Sequence, residues 1–312
     1  MMKHFDFSPT PITTLPYYSR KCGVNLFVKR DDLFPVAMGG SKARMLQYIM
    51  YEPICKKVKN IVTAGGPCSN FNRAIAIMCA QNQIKLKLVS YTDNQSEYQT
   101  SLNNYIVGLA GCEYVYCKKT EVANTILDVM NSLDKDSSYF IYGGGRSLAG
   151  IYAYYEAIKE IKNQINKIDE LYVACGTGTT LSGICAGMQE FYPKAIVHGI
   201  SVARTREIEY PVLQENLNLL NQYLCRKYDF SNLILHDNFL CGGYGLASED
   251  IYSLIKECAR NEGLFLDATY VGKAFYGMNS ILSMKKRIGQ NVLFWNTGGL
   301  INLLSQRDMF CK

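Results

Sequence analysis

The apolar positions of this chain fall in short runs that alternate with longer, helix-like stretches. Asn25–Lys29 reads NLFVK, Asn60–Thr63 NIVT, Ile84–Ser90 IKLKLVS and Glu113–Tyr116 EYVY, each of strand length and rich in β-branched or apolar residues. Helices are predicted after them, over Ser41–Cys55, Ser69–Ala80, Glu97–Ala110 and Thr120–Leu133. Leu171–Ala174 leads into a helix from about Thr180, and Ala195–Ile200, Leu264–Leu266 and Val292–Trp295 are further predicted strands. Strands alternating with helices imply βαβ units and an α/β fold whose mainly parallel sheet is covered on both faces. Ligands in such folds bind at the carboxyl ends of strands, so the informative residues are expected just after them. The polar DKDSS and the run Gly143-Gly144-Gly145 interrupt the pattern within Asp136–Gly150 and mark a candidate boundary.

At 312 residues the chain is longer than one hydrophobic core usually serves, so one large or two packed domains are expected. The net charge of +6 is spread thinly, and clusters such as Lys56-Lys57-Val58-Lys59 read as solvated faces, so nucleic acid is not an expected partner. The opening MMKHFDFSPT lacks the apolar run of a signal peptide, and no window approaches the roughly 20 apolar residues of a membrane span. Twelve cysteines without a CxxC pair therefore read as reduced, mostly buried residues of a cytoplasmic protein. The three His, at 4, 198 and 236, suggest neither a metal site nor a Ser-His-Asp arrangement.

Four loops after strands carry unusual residues. In CGTGTTLSG, Gly176 and Gly178 let backbone N–H groups approach a ligand, Thr177, Thr179 and Thr180 add hydroxyls, and the following helix adds its positive end. Alone, this run fits either a phosphate cradle or a capped Gly-rich turn. In AGGPCSNFNR, Ser69 is a candidate helix cap and Asn70 can turn its amide over the strand ends. In RDDLFPVAMGGSKARML, Lys42 stands in the first turn of a helix, where a cation is electrostatically misplaced and loses some affinity for its proton. A neutral amine so placed suits Schiff-base chemistry. In WNTGGLINLL, the Thr297 hydroxyl and the pair Gly298-Gly299 follow an apolar strand. Together these loops offer a Lys for an aldehyde, a cradle for a phosphate, an Asn for a phenolic oxygen and a hydroxyl for a ring nitrogen. Those are the needs of pyridoxal 5′-phosphate.

The chain resembles the tryptophan synthase β superfamily of pyridoxal-phosphate enzymes, of fold type II. Within it, the likeness is to the branch of D-cysteine desulfhydrase and 1-aminocyclopropane-1-carboxylate deaminase. The segments that carry it are VKRDDLFPVAMGGSKARML, TAGGPCSNFNRAIA, VACGTGTTLSG, LDATYVGKAFYGM and VLFWNTGGL, in the family's order from about residue 8 to residue 305. The resemblance implies two three-layer αβα domains, a large one from 1–52 plus 150–312 and a small one from 53–149, with the cofactor in the cleft. By resemblance, Lys42 forms the Schiff base, Asn70 bonds the pyridine hydroxyl, Gly176 to Thr180 hold the phosphate and Thr297 faces the pyridine nitrogen. Ser69 matches a serine near the substrate carboxylate, and Tyr244 and Tyr270 match two active-site tyrosines. A homodimer acting on a small amino acid is also implied.

Three positions depart from that pattern. The deaminases carry Glu where Val271 stands and Leu where Thr297 stands, which argues against opening of the cyclopropane ring. The desulfhydrases carry Thr at the place of Val271 and His at the place of Phe71. Phe71 is expected either to stack near the cofactor or to pack in the core, and Cys68 to be a small packed residue. The expected chemistry is removal of the α-proton by Lys42 and expulsion of a small β-substituent such as sulfide, giving a 2-oxo acid and ammonia. Tyr270 or Tyr244 is the expected donor to the leaving group. A β-replacement enzyme, a cofactor-binding protein without catalysis and a nucleotide-dependent oxidoreductase are the competing readings.

Overall fold

The computed structural model describes residues 2–284 and 287–310. Ten strands occur among them: β1 Ile12–Thr14, β2 Asn25–Arg30, β3 Asn60–Gly65, β4 Lys85–Ser90, β5 Glu113–Tyr116, β6 Ser138–Phe140, β7 Glu170–Cys175, β8 Ile196–Ser201, β9 Leu233–His236 and β10 Asn291–Asn296. They form a six-stranded sheet, β1-β2-β10-β7-β8-β9, and a four-stranded sheet, β5-β4-β3-β6. Every pairing is parallel except that of β1 with β2. The α/β class with mainly parallel sheets is therefore the observed one.

The six-stranded sheet is buried on both faces, which is why its central strands are continuously apolar. Along β10, Leu293 and Trp295 enter one core cluster while Val292 and Phe294 enter the other. The first cluster runs on to Ile61, Leu86 and Leu88 of the four-stranded sheet, so one apolar body joins the two. The other face of the small sheet packs Val62 and Val89 against Val129.

Three expectations need correction. Leu264–Leu266 pairs with no strand among the described residues. Leu264 and Leu266 are buried and Phe265 is 57% exposed, so this linker alternates as a strand would. The predicted helix Ser41–Cys55 is two helices, Ser41–Ile49 and Tyr51–Cys55, and Glu97–Ala110 is likewise Glu97–Thr100 and Leu102–Leu109. In the second case Ser101 leaves the helical region and its hydroxyl caps the next helix at the Asn104 N–H. The cysteines are also less sequestered than expected. Cys79, Cys175, Cys185 and Cys258 are buried, whereas Cys55 and Cys225 are exposed and the other described cysteines lie between.

A charged network lies beneath the loop that carries Lys42. The guanidinium of Arg44 donates to Asp31 Oδ1 at 2.7 Å and Oδ2 at 3.0 Å, and to Glu160 Oε2 at 2.7 Å. Thr10 and Tyr154 add hydroxyl donors to Asp31, each at 2.8 Å. Burial pushes the Asp31 carboxyl up, but Arg44 outweighs it and holds the group below its usual range. The Asp31 carbonyl then accepts the Gly40 N–H at 2.7 Å, tying this rigid centre to the turn before Lys42.

Candidate active site

A cavity of about 940 Å³ opens between the sheets, within the size range of small-molecule sites. Its walls come from the loops after β2, β3, β7 and β10, at the carboxyl ends of parallel strands, as the sequence predicts. Lys42, Ser69, Asn70, Gly176, Thr177, Gly178, Thr180, Tyr244, Tyr270 and Thr297 all line it. Of the expected site residues only Thr179 does not. Its side chain is fully buried, with its hydroxyl 3.3 Å from that of Thr177.

Lys42 is the second residue of the helix Ser41–Ile49 and projects into the cleft. Two loops interlock to place it. The Ser41 N–H donates to the Thr297 carbonyl at 2.8 Å, and a Cβ on Gly298 would lie 2.7 Å from the Gly40 Cα, so neither turn tolerates a side chain at that crossing. Lys42 Nζ donates to the Gly144 carbonyl at 2.9 Å, beside the Met45 sulfur at 3.9 Å. No carboxylate is bonded to it among the described residues. Burial is the leading cause that pushes its amine down to about 8, with Cys175 opposing. Burial, rather than the positive helix end that its place in the chain suggests, is thus the leading cause.

The Gly-Thr loop ends in Gly178, whose φ of 75° makes it the left-handed cap of the helix Thr179–Phe191. It offers no side chain to that helix, so the first-turn N–H groups are left for a ligand. Opposite it, the Ser69 hydroxyl accepts the Asn72 N–H at 3.2 Å as cap of the helix Asn70–Gln81, while Ser69 itself lines the cavity. Asn70 Oδ1 accepts from Arg73 Nη1 at 3.0 Å and from Asn103 Nδ2 at 3.2 Å. Its Nδ2 donates to no protein atom among the described residues. The amide is thus held with its donor end free.

The hydroxyls of Tyr244 and Tyr270 are 2.6 Å apart. Burial is the leading cause that raises both; the Tyr244 hydroxyl adds to the rise at Tyr270, whereas the Tyr270 hydroxyl opposes it at Tyr244, which still reaches about 12, so both keep their protons near neutrality. Tyr270 precedes the helix Val271–Met284, whose first N–H groups are capped by the buried Asp267: Oδ2 accepts from Thr269 and Tyr270, Oδ1 from Val271. Tyr244 sits in a loop with left-handed residues at Cys241, Gly242, Gly243 and Gly245. Lys273, fully buried on that helix, anchors this loop by donating to the carbonyls of Leu240 at 2.8 Å, Gly243 at 2.7 Å and Val202 at 3.2 Å.

The departures from the family pattern are resolved unequally. Val271 is fully buried in the core and does not line the cavity. Phe71 is 1% exposed in the core and also lines the cavity. Cys68 also lines the cavity, and burial raises its thiol to about 11, so it is protonated near neutrality. Four further cavity residues, Arg73, Gly144, Arg146 and Arg204, are not among those the sequence points to. The glycine run at 143–145, which in the sequence marks a candidate boundary, is a visible signal for the second of these.

Comparison with known proteins agrees with this geometry. The family model described as pyridoxal-phosphate dependent enzyme matches residues 5–298. A Thermotoga maritima protein, provisionally named a 1-aminocyclopropane-1-carboxylate deaminase, is 31% identical over 310 residues, covering 96% of this chain and 97% of its own. The crystal structure of an ACC deaminase homologue superposes with a TM-score of 0.90 at 26% identity, covering 99% of this chain and 95% of the other. A hydrogen sulfide-producing enzyme of Fusobacterium nucleatum shares the fold, with a TM-score of 0.68 at 17% identity over 94% of this chain and 95% of its own.

Proposed function

The chain belongs to the family of pyridoxal-phosphate dependent enzymes, and on that premise we propose that it deaminates a small amino acid by α,β-elimination, with D-cysteine as substrate. It is an enzyme of the 1-aminocyclopropane-1-carboxylate deaminase type, and its cofactor is pyridoxal phosphate. The residues present fit that group. Lys42 offers an amine without an ion-pair partner among the described residues, the uncapped helix at Gly178 offers N–H donors to a phosphate, and the fixed Asn70 amide offers a donor to a phenolic oxygen. Thr297 would face the ring nitrogen. A hydroxyl there leaves that nitrogen neutral, which favours loss of a β-substituent over transamination.

When bound, pyridoxal phosphate supplies an electron sink for bonds broken at the α-carbon of an amino acid. The chain's own residues supply the rest. Lys42 would hold the cofactor and, once displaced by the substrate's amine, take the α-proton. Its nearness rather than unusual basicity would carry most of the rate. Ser69 would bond the substrate carboxylate. Tyr270 or Tyr244 would donate a proton to the departing sulfur. The sum is D-cysteine plus water giving pyruvate, ammonia and hydrogen sulfide.

The observation that carries this reading is the bonded tyrosine pair, both hydroxyls proton-bearing, facing the same cavity as Lys42. Opening of the cyclopropane ring in 1-aminocyclopropane-1-carboxylate is the second reading, favoured by the named relatives. Against it stands Val271, buried, apolar and outside the cavity, at the position where the deaminase pattern that the chain resembles has Glu. A cytoplasmic homodimer completes the proposal. Among the described residues, no helix is long and apolar enough to cross a membrane.

The test is to give the loaded enzyme D-cysteine and 1-aminocyclopropane-1-carboxylate separately and assay the products. Pyruvate and sulfide from the first, with no 2-oxobutanoate from the second, are expected, and Lys42→Ala should lose turnover altogether. 2-Oxobutanoate from the second compound alone would overturn the choice of substrate.

A further inference from the structure

Arg73 is a buried cation beside the cleft that meets no carboxylate among the described residues. It lies on the helix Asn70–Gln81, is 3% exposed and lines the cavity. Its Nη1 donates to Asn70 Oδ1 at 3.0 Å and Asn103 Oδ1 at 3.1 Å, and its Nη2 to the Gly39 carbonyl at 3.2 Å. Its Nε has no partner among the described residues. Every acceptor is therefore neutral. Burying a guanidinium without a counter-charge costs several kcal/mol in general, so the fold retains an uncompensated positive charge here at a price in stability.

Its partners give that charge a direction. Asn70 receives two donors on the same oxygen, one from Arg73 and one from Asn103, which forces its NH2 to the other side, toward the cleft. Asn103 also donates to Asn302 Oδ1 at 2.7 Å, on the helix Leu300–Ser305 just past Thr297-Gly298-Gly299. Gly39 belongs to the turn before Lys42. The guanidinium thus touches the Asn70 loop and the Lys42 loop, and reaches the Thr297 loop through Asn103.

Building on the pyridoxal-phosphate site above, we propose that Arg73 is a positioning residue for the cofactor: it locks the Asn70 amide with its donor end toward the ring hydroxyl and places an unpaired positive charge that favours this hydroxyl in its ionised form. The ligand chemistry is a phenolate oxygen. Asn70 makes the contact and Arg73 acts through it. A merely structural arginine would affect folding of the unloaded chain but not the electronic state of the bound ring.

The experiment compares wild type with Arg73→Gln, Arg73→Lys and Asn103→Ala, each loaded with pyridoxal phosphate and without substrate. Cofactor dissociation constants, visible absorption spectra and the melting of the unloaded proteins are measured. Arg73→Gln is expected to bind the cofactor about ten-fold more weakly or worse, because a charged hydrogen bond to the Asn70 anchor is lost, and to show an altered visible band. Arg73→Lys keeps the charge but cannot fork to Asn70, Asn103 and Gly39 together, so its affinity should fall while its band stays closer to wild type. Asn103→Ala removes the second donor on Asn70 and should weaken binding less than Arg73→Gln. Wild-type affinity and an unchanged band in every folded variant would overturn the proposal. Should Arg73→Gln not fold, Arg73→Lys and Asn103→Ala decide it by the same two readouts. A wild-type protein that takes up no pyridoxal phosphate would instead refute the site itself.

Discussion

Lys42 shows what a sequence can and cannot say about a single residue. The motif and the misplaced charge at a helix start both single it out, but the cause of its lowered proton affinity is burial in the cleft, a property of the assembled walls. Only the neutral amine attacks an aldehyde, so the rate of covalent cofactor uptake by the unloaded protein should rise with pH and level off above about 8. Stopped-flow absorbance across pH reads this directly. A rate still climbing at about pH 10, the ordinary range of a lysine, would mean that Lys42 is solvated. Arg73 and Lys273 were not legible in the same way. Each reads as one more cation on a helix, and only the fold reveals that both are buried among neutral acceptors.

At the scale of elements, long strands with continuous apolar runs were readable, and β5 was read to the residue. Leu264–Leu266 misled because a buried linker can alternate without a neighbour to pair with. The breaks at Met50 and Ser101 are not legible in the pattern because the segments on both sides are helical; at Ser101 a hydroxyl cap decides the boundary, whereas Met50 keeps helical backbone angles and caps nothing with its side chain. The helix Val271–Met284 and the loop before Tyr244 form a working unit, joined by the ammonium of Lys273. Lys273→Met should leave the carbonyls of Val202, Leu240 and Gly243 short of a donor and release the loop, costing about 1–3 kcal/mol of stability. Its turnover should fall toward that of Tyr244→Phe, since both changes take the Tyr244 hydroxyl from the pair, while cofactor affinity holds. Melting curves, steady-state kinetics and cofactor titration check the three parts. A stable Lys273→Met with wild-type turnover would show that the loop needs no anchor.

For the whole molecule, two parallel sheets present the carboxyl ends of their strands to one shared cleft, and this is why motifs scattered from Gly39 to Gly299 meet there. The order of strands could not be read from the chain: β10, last in sequence, lies between β2 and β7, and that central place brings Thr297 against the turn of Lys42. We propose that the chain divides as its sheets do, into 1–52 with 150–312 and into 53–149, with Asn103 and Asn302 joining the two across the cleft. The central claim is that this cleft holds pyridoxal phosphate on one particular lysine. Reduction of the loaded protein with borohydride, followed by peptide mass spectrometry, tests it most directly. A pyridoxyl group on the peptide containing Lys42, and on no other, is the predicted result; the same group on a different lysine, with Lys42 unmodified, would contradict it.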